Sequence, residues 1–424
     1  MNAAFTQSKE KRHAITLLAG MTALYFFSYF NRVAIPGTIF NEIQADMGLS
    51  AAAVTALGAI FLYIYGGSQL FIGILADRYG GLKTLLAGGV FMCAGSLLFP
   101  LAHSLPLLYF SRALAGFGSC FMYLCIIKEL DRLFGGANFA PMMGVAYFIG
   151  FSGGLFGTLP YERLARAMGW RQSLFAIAIL STLVLALIFH ASRRQLSAPH
   201  HATEFRLTKL WQLFRNRPYL CVLTCATINY GLYFTLQATI GKKFLEDYAE
   251  LASSTAATVT SVMMIGSMAT AVLSGVISRL CGNRRKGFMI VATLSTLIGC
   301  ILLAVGIRSH GGGWYFAACY VLLALSAGFG TIFVSSVREL CPSDAVGVAV
   351  GVINSTVYLF IAGCANFSGA VLNHFANQTI KTATSVVYPP KAYATIFGAM
   401  AVLAAVSFAS SLFTRETYGR HVYE

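Results

Sequence analysis

The stretch GILADRYGGLK, residues 73–83, decides how the rest of the chain is read. It sets Asp77, Arg78 and Lys83, with the consecutive glycines Gly80 and Gly81, between two apolar runs at 51–75 and 84–101. A helix crosses the ~30 Å hydrocarbon core of a bilayer in about 20 residues, so each run is long enough to span. The charged turn between them is then a loop at one membrane face. Gly80 and Gly81 permit a tight reversal, and Gly73 is expected to let its helix approach a neighbour closely. Asp77 is placed to accept hydrogen bonds from exposed N–H groups of a partner helix and to pair with an arginine.

Outward from this loop the same pattern recurs. Apolar segments lie near 14–36, 51–75, 84–101, 106–128, 139–160 and 171–190, and after a polar stretch near 219–241, 252–278, 287–307, 314–337, 345–372 and 391–413. That is six and six. The composition agrees: 57% of the 424 residues are hydrophobic and 11% charged, with a mean hydropathy of +0.70. A soluble domain carries about 25% charge, so soluble enzymes, nucleic-acid-binding domains and disordered scaffolds are excluded. The first apolar run has no small-residue cleavage site and reads as a retained span rather than a signal peptide.

The net charge of +15 has a topological reading. Twenty of the 30 basic residues fall on the side of the N-terminus, whereas Arg163, Arg166, Arg171, Lys242, Lys243, Arg308, Lys381 and Lys391 fall on the other, and Arg32 and Arg112 lie inside spans. This bias puts both termini in the cytoplasm. The ten cysteines show neither metal-ligand nor redox spacing, and no metal or cofactor is expected. Residues 1–190 form an N-terminal bundle, 191–218 a cytoplasmic central loop and 219–424 a C-terminal bundle with a short tail. Within the loop, Phe205, Leu207, Leu210, Trp211, Leu213 and Phe214 form an amphipathic segment suited to the membrane surface.

The two halves echo one another. AGFG occurs at 115–118 and again at 327–330, each followed by a charged pair, Lys128–Glu129 and Arg338–Glu339, and Gly73 is echoed by Gly275. A parallel duplication of six-helix units is one of the recurrent carrier architectures. GILADRYGGLK itself resembles the signature loop of the major facilitator superfamily, G-x-L-a-D-r-x-G, with a weaker second copy, GVISRLCGNRRK, at 275–286. Arg112-x-x-x-Gly116-x-Gly118 and the GWR at 169–171 fit the same family, so the resemblance covers nearly the whole chain. It implies an all-α membrane protein of twelve transmembrane helices in two six-helix bundles, rocking about a central site. It also implies a gating role for Gly73, Asp77, Arg78, Gly80 and Lys83, with Glu129 and Arg338 as the charged pairs that follow AGFG. The second copy has Arg279 where Asp is expected, which leaves an equivalent lock in the second half open. Asp77 and Arg78 as mere topological anchors is the competing reading.

Arg32 lies in or near the end of the first span, where an unpaired guanidinium costs about 2.5–3.5 kcal/mol on insertion scales. YFNRV, with Tyr29 and Asn31 beside Arg32, resembles the helix 1 pattern of the organic-anion and sugar-phosphate carriers of the superfamily, in which the arginine helps bind the negative group. The alternative is an arginine snorkelling to the outer interface, aided by Pro36. Arg112 is linked by the same resemblance to substrate or proton coupling; bonding to carbonyls of a neighbouring helix is the other reading. Tyr25, Tyr63, Gln69 and Tyr147 are further wall candidates, with Tyr123, Asn229, Tyr230, Tyr233, Gln237, Asn354 and Tyr358. Tyr29, Asn229 and Tyr233 rank first, because helices 1, 4, 7 and 10 line the cavity in the family. GFSGGLFGTLP at 150–160 partly resembles the helix 5 motif of drug/proton antiporters but lacks its internal proline; Gly150, Gly154 and Gly157 read as a packing surface.

No Asp or Glu falls in the middle of the assigned spans, and two arginines without an acid leave a positive cavity. The expectation is a secondary transporter of a small polar, anionic solute by alternating access, as proton symport or anion exchange. A multidrug or metabolite exporter and a non-transporting sensor on the same fold are the alternatives. Neither a GxxxxGK[ST] phosphate loop nor a hydrolase motif is present, so the chain is not read as an enzyme. The expected surroundings are the lipid bilayer, as a monomer in a bacterial inner membrane, without nucleic acid.

Overall fold

The computed structural model describes residues 2–193, 208–342, 345–382 and 385–422, and within these leaves aside the side chains of 2–13, 70, 74, 77, 131, 135–141, 208–210 and 212. Helices dominate in chain order: α1 (Asn2–Ala34), α2 (Phe40–Met47), α3 (Ala51–Tyr79), α4 (Gly81–Leu101), α5 (Leu105–Phe156), α6 (Leu159–Met168), α7 (Trp170–Ser192) and α8 (Thr208–Arg215). There follow α9 (Arg217–Thr235), a π-helical turn (Leu236–Ile240), α10 (Gly241–Asp247), α11 (Ser253–Leu280), α12 (Lys286–Arg308), α13 (Gly313–Ala327), α14 (Gly330–Leu340), α15 (Val346–His374) and α16 (Pro390–Leu412). Among the described residues, eleven helical stretches are long and apolar enough to cross a membrane, and the pair Met142–Phe156 and Leu159–Met168, bent by 44°, makes a twelfth when taken as one span. The twelve match the expected spans one for one.

Two details depart from the sequence reading. Helical backbone runs unbroken from Leu105 to Phe156, through the expected loop between the fourth and fifth spans. A straight helix would separate residues 24 apart by about 36 Å, yet Tyr123 and Tyr147 share a hydroxyl–hydroxyl hydrogen bond and their ring centroids are 5.5 Å apart. The run therefore doubles back as two antiparallel spans. The second departure is the seventh span, which continues through the π-helical turn to Asp247 instead of ending near 241.

Contacts divide the chain into two compact units: Met1–Arg32 with Gly67–Phe205, and Val33–Gly66 with Arg206–Glu424. The first unit is glycine-packed. An added Cβ on Gly118 would collide with the Met92 and Gly88 backbone of α4, and one on Gly95 would meet Ala115 and Ser111 of α5. Gly150 sits against the Tyr25 ring and Gly153 against the Phe26 carbonyl, which fixes α1 on the second limb of α5. Close backbone approach of this kind is how membrane helices associate without a hydrophobic driving force. The GWR stretch closes the far end of α4: Gly169 takes φ +85°, and Arg171 donates Nη1 to the carbonyls of Pro100 and Ala102, both 2.8 Å. A cation at a helix C-terminus satisfies its orphan carbonyls.

In the second unit, Val33–Gly66 is built against residues of the later helices. Tyr65 packs edge-on to Tyr358 at 4.7 Å, Ser355 Oγ donates to the Gly66 carbonyl at 2.7 Å, and an added Cβ on Gly369 would stand 3.0 Å from Thr55 Cβ. A two-residue hairpin, β1 (Ile380–Lys381) paired antiparallel to β2 (Val386–Val387), lies between α15 and α16. No sequence signal pointed to it. Residues 194–207 of the expected central loop, with Phe205 and Leu207, lie outside the described residues; α8 forms its last part, with Trp211 and Phe214 exposed and Leu213 buried.

Candidate functional site

The first unit gathers a polar and aromatic cluster from α1, α3 and both limbs of α5. Arg32 is 3% exposed, its guanidinium 4.5 Å from the centre of the Tyr29 ring, and lies within electrostatic reach of Cys120. It is buried in protein rather than extended to an interface. Tyr29 packs on Phe151 at 4.5 Å and on Tyr25 at 5.8 Å; Tyr25 stacks on Tyr123, which in turn meets Tyr147. Asn31 is engaged structurally: its amide donates to the Phe27 carbonyl at 3.0 Å and to Ser96 Oγ at 3.1 Å. Arg112, 1% exposed, donates to the Asn31 carbonyl at 3.1 Å and lies over Phe99. It braces the turn that carries Arg32. Gln69 donates Nε2 to the Cys120 carbonyl at 3.4 Å.

The second unit holds the other expected contacts. Asn229 is 1% exposed and used internally: Nδ2 donates to the Ser326 carbonyl at 3.1 Å, and Oδ1 accepts from Thr296. Tyr233 hydrogen-bonds Ser267 Oγ at 2.9 Å. Gln237 is different. It is 2% exposed within the π-helical turn, and neither amide atom has a partner among the described residues. Single π-turns inside α-helices concentrate at functional sites. Tyr358 packs on Tyr65, and Asn354 is half-buried one turn before it.

At the signature loop the structure corrects one expectation. An added Cβ on Gly73 would meet open space, so Gly73 is not a close-packing residue; its carbonyl accepts from Lys128 Nζ at 3.3 Å. Gly80 takes φ +89°, which only glycine adopts readily. Gly81 abuts Cys125 and Glu129, and Glu129 Oε1 accepts from Leu82 N at 2.8 Å while Oε2 pairs with Arg132 at 2.6 Å. Glu129 thus caps α4, a role that Asp77 was expected to share; the Asp77 side chain lies outside the described residues. Arg78 and Lys83 are exposed, as is Arg338. In the second half, Arg279 is exposed, and Glu339 pairs instead with Arg285 at 2.9 Å and accepts from Thr417. Glu416 accepts from the backbone of Arg285 and Lys286 at the start of α12. The AGFG echo packs differently in its two copies: Gly118, the last residue of the first, abuts α4, whereas its counterpart Gly330 faces open space and the close contact, with Thr270 and Ser267, falls on Gly328.

Lys242 and Lys243, assigned to an outer loop from sequence, are 3% and 0% exposed inside α10. Lys242 pairs with Glu246 at 2.9 Å, and Lys243 with Asp247 at 2.7 Å. The network continues into Val33–Gly66: Lys242 donates to the Thr38 carbonyl, Asn41 to Glu246, and Gln44 to the Tyr388 hydroxyl. Asp247 also accepts from Tyr388 N and Tyr393 OH. Burial holds the Tyr388 phenol above its ordinary value, so it stays protonated. The seventh span thus ends in two buried acids, Glu246 and Asp247, past the point where the sequence reading closed it. The signal was present in the sequence as two opposite-charge pairs at i, i+4, where charge density was read as a loop.

A multi-pass helical bundle with a buried, arginine-bearing polar cluster is the class that this geometry defines. The family description Major Facilitator Superfamily matches residues 21–365, and the chain belongs to it. That family comprises membrane transporters, not enzymes. The probable sulfoacetate transporter SauU of Cupriavidus necator is 25% identical over 189 residues, 44% of this chain and 43% of that protein. The oxalate:formate antiporter of Oxalobacter formigenes is 31% identical over 94 residues, 22% of each chain. The matched stretch spans less than half the length of these curated relatives. A crystal structure of the nucleoside transporter NupG shares the fold with a TM-score of 0.72 at 14% identity, covering 94% of this chain and all of that one.

Proposed function

We propose that the protein is a secondary transporter that carries a small anionic solute across a cell membrane by alternating access. The single observation behind this reading is Arg32, a guanidinium buried in a membrane-spanning helix beside aromatic rings. Such an arginine marks a solute pathway by default, and the relatives named for sulfoacetate and for oxalate and formate are named for small anions. Arg112 positions the Arg32 turn, while Tyr29, Tyr123, Tyr233, Gln237, Asn354 and Tyr358 supply polar contacts, Gln237 with both amide atoms available. Asn31 and Asn229 serve by holding their helices. The gating elements are Gly73, Asp77, Arg78, Gly80, Lys83, Glu129 and Arg338.

Anion exchange is favoured over proton symport as the driver. Among the described residues, the buried acids Glu129, Glu162, Asp247 and Glu339 each already hold a cationic partner, Arg132, Arg166, Lys243 and Arg285. A carboxylate engaged in this way is a poor proton relay. The reading places the protein in a bacterial inner membrane with both termini cytoplasmic. The test is counterflow in proteoliposomes with small carboxylates and sulfonates. Accumulation of an anion by the wild type is expected, and Arg32→Gln should lower it at least tenfold. Undiminished uptake in that variant would end the reading.

A further inference from the structure

Gln69 lies on α3 in the first unit, 2% exposed, and its side chain is only half engaged. The Cys120 carbonyl can only accept, so the contact at 3.4 Å fixes the amide with its NH2 toward Cys120. The carbonyl end, Oε1, is left pointing elsewhere, buried and without a donor among the described residues. A second unpartnered polar atom, Ser119 Oγ, lies on the adjacent residue of the same turn, and Ser119 is fully buried. α1 meets this turn through Ser28, whose Oγ donates to the Ser119 carbonyl at 3.5 Å, and Arg32, one helical turn further along α1, lies within electrostatic range of Cys120. Three helices thus bring a cation, a hydroxyl and a bare amide oxygen to one turn of α5.

We propose that Gln69 selects the solute: Oε1 demands a hydrogen-bond donor, so the anion held by Arg32 also carries a hydroxyl or an ammonium group. This rests on the anionic reading of Arg32 and narrows it. A carboxylate or sulfonate that offers only acceptors satisfies Arg32 and Ser119 but leaves Oε1 buried and unmet. An unsatisfied buried acceptor is costly, whereas a site built to meet a donor discriminates strongly against the analogue that lacks it. Hydroxy acids and amino acids are therefore the favoured class, and simple dicarboxylates are disfavoured.

Two sets of acids isolate the donor at constant chain length: acetate, glycolate and glycine, and succinate, malate and aspartate. Binding to the purified full-length protein is read by isothermal titration. The wild type is expected to bind the hydroxy or amino member of at least one set about tenfold or more tightly than its donor-free parent. Gln69→Met, which keeps the length and removes the acceptor, should bring the members of that set within about twofold of one another. Equal binding of parent and donor-bearing acids by the wild type, or a preference that survives in Gln69→Met, overturns the assignment of Gln69. Should Gln69→Met fail to fold, the wild-type preference decides the point. Arg32→Gln separates the two readings, since it should weaken every member alike. If it changes none, or if the wild type binds none of the six, the anionic reading falls and the role of Gln69 with it.

Discussion

Glu129 shows how a carboxylate far along the chain can cap a helix that begins at a glycine. Gly80 has no side chain to cap α4, so the Leu82 N–H turns to a carboxylate 47 positions away. Replacement by alanine leaves that donor without its acceptor and should lower stability by about 1–2 kcal/mol, the range for a lost cap. Glu129→Gln keeps an acceptor and loses only the pairing with a one-third-exposed Arg132, a contact of the kind worth at most about 1 kcal/mol. Thermal unfolding in detergent should rank the variants wild type, Gln, Ala. A glutamine variant as unstable as the alanine one would show that charge, not capping, is what Glu129 supplies. Gly73 offers the complementary case. With open space around its Cβ position, Gly73→Ala should leave the melting temperature unchanged or slightly raised, as alanine is the better helix former by about 0.8–1.0 kcal/mol. A lowered melting temperature would return Gly73 to the packing role that the structure denies it.

At the level of the element, the spans were legible because each buries a bilayer length of apolar side chains, and hydropathy reports that directly. What periodicity could not show is α10. Its Gly-Lys-Lys and Glu-Asp residues look like the start of a loop until they are paired at helical spacing, and only burial against α2, Tyr388 and Tyr393 distinguishes the two. The unbroken helical path through α5 was equally hidden, since the charged residues, Gly135–Gly136 and Pro141 between its limbs read as an ordinary loop. Arg32 and Arg112 were visible because charge is rare inside a span. The half-satisfied Gln69 was visible only as a polar residue, because satisfaction is a property of neighbours. The α10 pairs have a measurable consequence. The Lys243 and Asp247 side chains are 0% and 1% exposed, so removing one partner leaves the other charged and buried, a loss of about 3–5 kcal/mol. Lys243→Met or Asp247→Asn should each cause a large drop in unfolding temperature, and the double variant should recover much of it. Equal or additive damage in the double variant would mean that the pair does not act as a unit.

For the whole molecule, the most consequential feature is that Val33–Gly66 clusters with the later helices in one compact unit. On the alternating-access mechanism proposed above, this segment parts from its partners in each cycle, and the contacts to be broken include the hydrogen bonds of Thr38 to Lys242, Asn41 to Glu246, Gln44 to Tyr388 and Gly66 to Ser355. Hydrogen bonds of this kind contribute about 0.5–1.5 kcal/mol each, enough to set a resting state and weak enough to be reversed by solute binding. Thr55 and Gly369 offer a way to hold the segment shut, because a Cβ built on Gly369 lies 3.0 Å from Thr55 Cβ, somewhat closer than the usual disulfide spacing of about 3.5–4.5 Å. A separation of the two backbones by about half an ångström brings the pair Thr55→Cys and Gly369→Cys within that range, and a disulfide should then form under mild oxidant, seen as a mobility shift. Counterflow should stop in the oxidised protein and return on reduction, with each single variant insensitive to the oxidant. Full counterflow through the cross-linked protein would mean that this segment never leaves its neighbours, and that the transport cycle turns on some other part of the chain.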